Sequence, residues 1–262
     1  MPFTLSHAAA ALPFRRLRLI PSALVVGTLA PDFEYFLRIA AKGGFGHTLR
    51  GAFVLTLPLA LAVLWIFHST IKVPLARLFP DGLERRVLAY LGRFRFFGPQ
   101  RFAVVVASLL LGIATHLLWD AFTHPRAWIY RHSLFLSRTV NLPALGAIPC
   151  YKVLQYVSTV VGLVVLLAWF VRWYEAAEPV GERSGRFLAP AQRHAIVALM
   201  ATVAFLGGGM RALAAVGLPA NASSMEEFMT EACVTSIALG WWQLVAFGLL
   251  SSQAELRSAD TR

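Results

Sequence analysis

The chain has 262 residues, 58% of them hydrophobic and only 14% charged, with a mean hydropathy of +0.64. Soluble domains carry about 25% charged residues, so this composition excludes a soluble globular protein and points to a membrane protein. The net charge of +11 does not indicate nucleic-acid binding, because the 24 Lys and Arg residues are spread along segments that flank apolar stretches and form no recognition helix or stacking platform.

Residues 1–50 are apolar but broken by Pro13, Pro21 and Pro31 and then by Gly43, Gly44 and Gly46. Short helices lying partly in the membrane fit that pattern, with Arg15, Arg16 and Arg18 at headgroup level. Five later stretches are long enough to span, since roughly 20 apolar residues cross the hydrocarbon: 52–71, 102–122, 153–172, 195–217 and 232–252. The expected fold is all-α, a polytopic bundle of five transmembrane helices in one membrane domain. Residues 1–50 form its cap, 51–253 the bundle and 254–262 a polar tail. Pro58 predicts a kink in the first span. Residues 72–101, with seven Lys and Arg, read as a basic surface segment. The glycines at 207–209 predict close helix packing, and Arg211 reads as snorkelling rather than paired. Residues 218–231 carry three Glu and no Lys or Arg and read as an outward loop. Cys150 and Cys233 read as small buried apolar residues rather than a disulfide.

Span parity has a consequence for chemistry. The first span crosses and the second returns, so residues 1–50 and the end of the second span share one membrane face in either orientation. That side carries ten Lys and Arg against thirteen on the other. The positive-inside rule therefore favours an integral protein of the cell (inner) membrane with its N-terminal region outward.

Acids and histidines are scarce, 13 and 7 in all, yet they cluster on that face. His116, Asp120 and His124 follow at i, i+4 and i+8, one row of a helix at the end of an apolar run. An ionisable group at membrane depth is a functional-site candidate by default. Parity brings His7, Asp32 and His47 to the same side. Imidazoles mixed with carboxylates, without thiolates, suit a divalent metal: zinc first, with manganese or iron as alternatives. His7, Asp32, His47, His116 and Asp120 are the candidate ligands. His124 is a further ligand or a general base, and Glu34 the next carboxylate. Arg50, Arg126 and Arg131 suit a phosphate or phospholipid headgroup, and His132 and Gln155 are further substrate contacts. Plainer roles stay open: Asp32 as a helix N-cap, His116 and Asp120 as a neutralising helix pair, the arginines as headgroup anchors. The expected function is metal-dependent hydrolysis, at the membrane surface, of a phosphoester or another lipid-linked ester. The alternative is a non-catalytic metal-binding or structural membrane protein. Membrane lipid is the expected partner, nucleic acid is not, and no pattern encodes an oligomeric state.

Several motifs follow in a specific order: residues 2–7 (Pro-Phe-Thr-Leu-Ser-His), 30–36 (Ala-Pro-Asp-Phe-Glu-Tyr-Phe), Gly46-His47-Thr48, His116-x3-Asp120-x2-Thr123-His124 and residues 151–155 (Tyr-Lys-Val-Leu-Gln). Over most of its length the chain resembles the DUF4184 family of integral membrane proteins, which implies no particular activity. It is more loosely similar to inner-membrane proteins predicted to be metal-dependent hydrolases, in which the order of His7, Asp32, His47, His116 and Asp120 recurs. More distantly it is similar to the zinc-dependent phospholipase C group. These similarities imply a metal more than a reaction. The chain departs from the hydrolase pattern where a second acid often follows Pro-Asp: Phe33 stands there, and Glu34 comes one place later.

Overall fold

The computed structural model describes residues 3–92, 94–96, 98–125, 127–142, 146–180 and 188–260. The chain is an all-α polytopic membrane protein. Its five segments long and apolar enough to cross a membrane are Leu49–Arg77, Pro99–His132, Cys150–Ala176, Pro190–Val216 and Ala222–Gln253, the second continuously helical over Pro99–Thr123. A small antiparallel hairpin, Thr139–Leu142 with Gly146–Pro149, lies between the second and third spans.

Four of the five helices outrun the apolar stretch that announces them at both ends. Hydropathy marks the hydrocarbon, whereas a helix continues until its backbone is capped or broken. The largest difference is at the fifth span. Residues 218–231, read as a loop, are helical from Ala222 onward. At Pro58 the helix is perturbed as a π turn, Ala52–Thr56, just before the α-helical Leu57–Ile66; a second π turn, Phe67–Ile71, follows it. Pro58 has no N–H and crowds the carbonyl four residues back, and the wider π turn just before it accommodates both.

Two compact units emerge. The first comprises residues up to 33, 44–64 and 95–173. Its centre is the contact between the short helix Pro21–Leu29, with proline at its first turn, and the second span's helix Pro99–Thr123. The buried positions of the latter, Val105, Ser108, Leu109, Gly112, Ile113, His116, Asp120 and Thr123, recur every three or four residues and form one face. Two glycines let the backbones meet. A Cβ on Gly27 would lie 2.3 Å from the Leu109 carbonyl oxygen, and one on Gly112 would lie 2.4 Å from that of Leu24. The N-terminal 3-10 helix, Thr4–Arg16, is held against the third span: Phe3 N–H donates to Thr159 Oγ1 (3.0 Å), and a Cβ on Gly162 would meet the Ser6 carbonyl at 2.8 Å.

The second unit comprises residues 34–43, 65–94 and those from 174 on. The fourth and fifth spans pack through Gly207 and Gly208, whose added Cβ atoms would lie 2.4 Å from Leu239 Cδ1 and 2.1 Å from Ser236 Oγ; Gly209 faces open space. Buried Arg193 donates to Asp81 (2.9 Å) and to buried Glu84 (3.2 Å). Arg211 does not simply snorkel: it pairs with Glu231 at 3.3 Å, and Glu231 also accepts the Ala41 N–H. The basic segment is likewise more than surface. Lys72 Nζ donates to the Gly92 carbonyl, and Arg86 donates to the Tyr174 carbonyl while lying 4.1 Å from the centre of its ring. Both cysteines are free thiols, Cys150 half-buried and Cys233 exposed.

Candidate metal centre

Each of five side chains in the first unit is placed by a local feature of the sequence. His7 lies on the 3-10 helix, where three residues make a turn, so Thr4 and His7 project from one edge. Asp32 ends the 3-10 turn Ala30–Asp32 that Pro31 starts after the Pro21–Leu29 helix. His47 closes the 3-10 turn Phe45–His47 just before the first span. That turn folds back tightly: Thr48 Oγ1 accepts the Gly51 N–H, and a Cβ at Gly51 would lie 1.7 Å from the Phe45 carbonyl oxygen. His116 and Asp120 share the buried face of the second span one turn apart.

The glycine-mediated helix contact also fixes the His116 ring. Its Nδ1 is 2.7 Å from the Thr28 carbonyl, near the end of a helix whose last carbonyls lack intrahelical partners. A carbonyl only accepts, so Nδ1 carries a proton and Nε2 faces inward, with a lone pair to offer when the ring is neutral. That nitrogen points at acids. His116 Nε2 lies 3.3 Å from Asp120 Oδ2 and 3.8 Å from Asp32 Oδ1. His47 Nε2 lies 3.2 Å from Asp32 Oδ1 and 3.4 Å from Asp120 Oδ2. His7 Nε2 lies 3.6 Å from Asp120 Oδ1, and its ring stacks on that of His116 with centroids 3.8 Å apart.

These separations are mostly longer than the 2.7–3.2 Å typical of N–H···O hydrogen bonds. They match ligand atoms around a small cation: tetrahedral ligands on bonds of about 2.0–2.1 Å sit about 3.3 Å apart. His7 Nε2, Asp32 Oδ1, His116 Nε2 and both Asp120 oxygens are buried with no hydrogen-bond partner among the described residues. Burying such groups unsatisfied is costly. Two sets have ligand atoms all within 4.8 Å of one another: His7 with His116 and Asp120, and Asp32 with His47 and His116. The donor set and its unsatisfied atoms fit a divalent metal.

Electrostatics agree at the two ligands outside the spans. Burial, helped by the neighbouring His116, pushes the His7 ring down to about 4, so it is a neutral donor at physiological pH. Burial alone would raise Asp32, but the close His47 ring, the charge of His116 and the Thr4 hydroxyl on Oδ2 outweigh it and hold the carboxyl below its usual range. Asp32 is thus an ionised carboxylate oriented by Thr4.

The other predicted residues fall at different places. His124 ends the second span's helix in extended backbone before Pro125. Its Nδ1 is 3.6 Å from Asp120 Oδ1, and with 29% of its side chain exposed it and His47 (17%) form the open edge of the cluster. Glu34 belongs to the second unit, where it takes the Arg38 guanidinium at 3.0 Å. Gln155 is buried on the third span, one turn before the Thr159 that holds Phe3. Arg50 and Arg131 are exposed. His132 is exposed too, its Nδ1 donating to the Trp128 carbonyl at 2.8 Å. Arg126 lies outside the described residues. Two supporting groups, Thr4 and the Thr28 carbonyl, were not foreseen. The spacing Thr4-x-x-His7 would have revealed the first had a 3-10 helix been expected there.

The model of the family described as a domain of unknown function (DUF4184) matches residues 1–249, and the chain belongs to that family. No curated protein and no solved structure matches it.

Proposed function

We propose that this DUF4184 protein is a membrane-embedded metal-dependent hydrolase acting at the membrane surface on a phosphoester or another lipid-linked ester. The observation that carries the reading is the set of imidazole and carboxylate atoms of His7, Asp32, His47, His116 and Asp120 facing one another at 3.2–3.8 Å, with His7 Nε2, His116 Nε2 and both Asp120 oxygens buried and unbonded among the described residues. His7, Asp32, His47, His116 and Asp120 would hold zinc, with manganese or iron as alternatives. Such a cation supplies Lewis acidity and water activated near neutral pH. The Thr28 carbonyl and the Thr4 hydroxyl orient His116 and Asp32. His124, at the open edge, takes up or delivers a proton. The smaller number of Lys and Arg on this side, ten against thirteen, supports a site at the outer face of the cell membrane.

The test is hydrolysis of a panel of phospholipids and lipid phosphates by the purified chain in mixed micelles. Activity should vanish with chelator and return with zinc. H124Q should keep its metal while kcat falls by about 10²–10⁴. A second reading, a structural metal without catalysis, is favoured by one feature: among the described residues, His47 and His124 alone open the cluster to its surroundings. Metal retention with no turnover of any ester would select it.

A further inference from the structure

We propose that the described part of the segment joining the second and third spans, residues 127–142 and 146–149, is a membrane-inserted lobe that binds anionic phospholipid in the leaflet bordering the metal site. The proposal does not require the site to be catalytic. The helix of the second span ends at Thr123 and the third span begins at Cys150, so the intervening chain stays at one membrane surface.

The segment is built rather than loose. It contains two short helices, Trp128–His132 and Leu134–Ser137, followed by the hairpin. Leu136 is 5% exposed, the Cys150 N–H donates to the Arg138 carbonyl at 2.8 Å, and the Tyr130 ring meets Tyr151 edge-on at 5.1 Å. With the segment anchored in this way, its outward side chains are those one would bury: Trp128 is 67% exposed, Leu134 82% and Phe135 67%. Tryptophan and large apolar residues on a short surface helix at the end of a span mark insertion at headgroup level.

Charge selects the lipid. No Asp or Glu occurs from residue 121 to 174, while Arg131 and Arg138 are exposed within the lobe. Their charge meets no carboxylate of its own segment, and basic residues beside an inserted aromatic favour anionic headgroups. Self-association through this face would set arginines against arginines, which is unfavourable. An anionic leaflet meets both the apolar and the cationic parts of the face.

The experiment uses the full chain in phosphatidylcholine vesicles doped with equal small fractions of brominated phosphatidylcholine or brominated phosphatidylglycerol. Subtracting the emission of W128F, with W128Y as a second reference, isolates Trp128. Each surface arginine favours anionic lipid by up to about fivefold. Brominated phosphatidylglycerol should therefore quench Trp128 at least about twice as strongly as brominated phosphatidylcholine. The R131Q/R138Q variant should quench equally with both lipids and keep the wild-type metal content. Equal quenching of the wild type by the two lipids overturns the proposal. So does the absence of quenching by either, which would mean that a second copy or another protein covers the face.

Discussion

The two units bury acids in opposite ways. In the second, Glu84 and Glu231 meet arginines at 3.2 and 3.3 Å, permanent cations that bring their own N–H donors. In the first, Asp32 and Asp120 meet histidine rings, and the Thr4 hydroxyl donates to Asp32. His116 commits the proton on Nδ1 to the Thr28 carbonyl, so in its neutral form it turns a lone pair toward carboxylates that also carry lone pairs. A cation between the groups relieves that arrangement. A scaffold acid comes with its cation built in, whereas a ligand acid is surrounded by donors that need one.

This contrast can be broken from either side. The largest effect on stability is expected at Arg193→Met, which takes the guanidinium at 3.2 Å away from buried Glu84 and should cost about 3–5 kcal/mol in unfolding, with metal content unchanged. If unfolding is unaltered, the second unit's pairs are not structural. Gly112→Ala should come next. Its Cβ would lie 2.4 Å from the Leu24 carbonyl oxygen and 2.6 Å from the Thr28 nitrogen, forcing the helices apart at a cost of about 1–3 kcal/mol. Because Thr28 moves with them, metal affinity should fall as well. Gly209→Ala, facing open space, is the control and should change neither. Thr4→Val sharpens the contrast further: it frees Asp32 Oδ2 and should weaken metal binding about 10–100-fold in competition with a chelator, without loss of helical content.

The smallest effect concerns pH. His7 titrates near 4 in the fold against 6.5 in the unfolded chain. Its contribution to stability is therefore complete above 6.5 and lost as pH falls toward 4. Asp32, also depressed, loses its contribution only below 3.8, outside that window. Melting of metal-free protein from pH 7 to 4.5 should fall more steeply for wild type than for His7→Gln, and parallel curves would contradict the burial assigned to His7.

Much of this was legible in the sequence, because hydropathy and parity are robust. Five apolar runs mark the five spans, and counting crossings alone brings His7, Asp32 and His47 to the side of His116 and Asp120. What escaped depends on backbone detail. Arg211 finds Glu231 only because the fifth span's helix begins at Ala222, inside what charge marked as a loop. Thr4 reaches Asp32 from a 3-10 helix that no periodicity announces. Glu34 stands two residues from Asp32 in the chain, yet its carboxylate is taken by Arg38 one helical turn on, a pairing that i, i+4 spacing allows as readily as a ligand role.

The central claim is that the buried histidines and aspartates of the first unit hold a metal. Elemental analysis of the detergent-purified chain tests it most directly, with His116→Ala and Asp120→Ala beside wild type and Arg193→Met as the folded-state control. The account predicts about one to two equivalents of zinc, manganese or iron in wild type and in Arg193→Met, and loss of that metal in both ligand variants. Wild-type protein that takes up no metal, even after reconstitution at neutral pH, would contradict it.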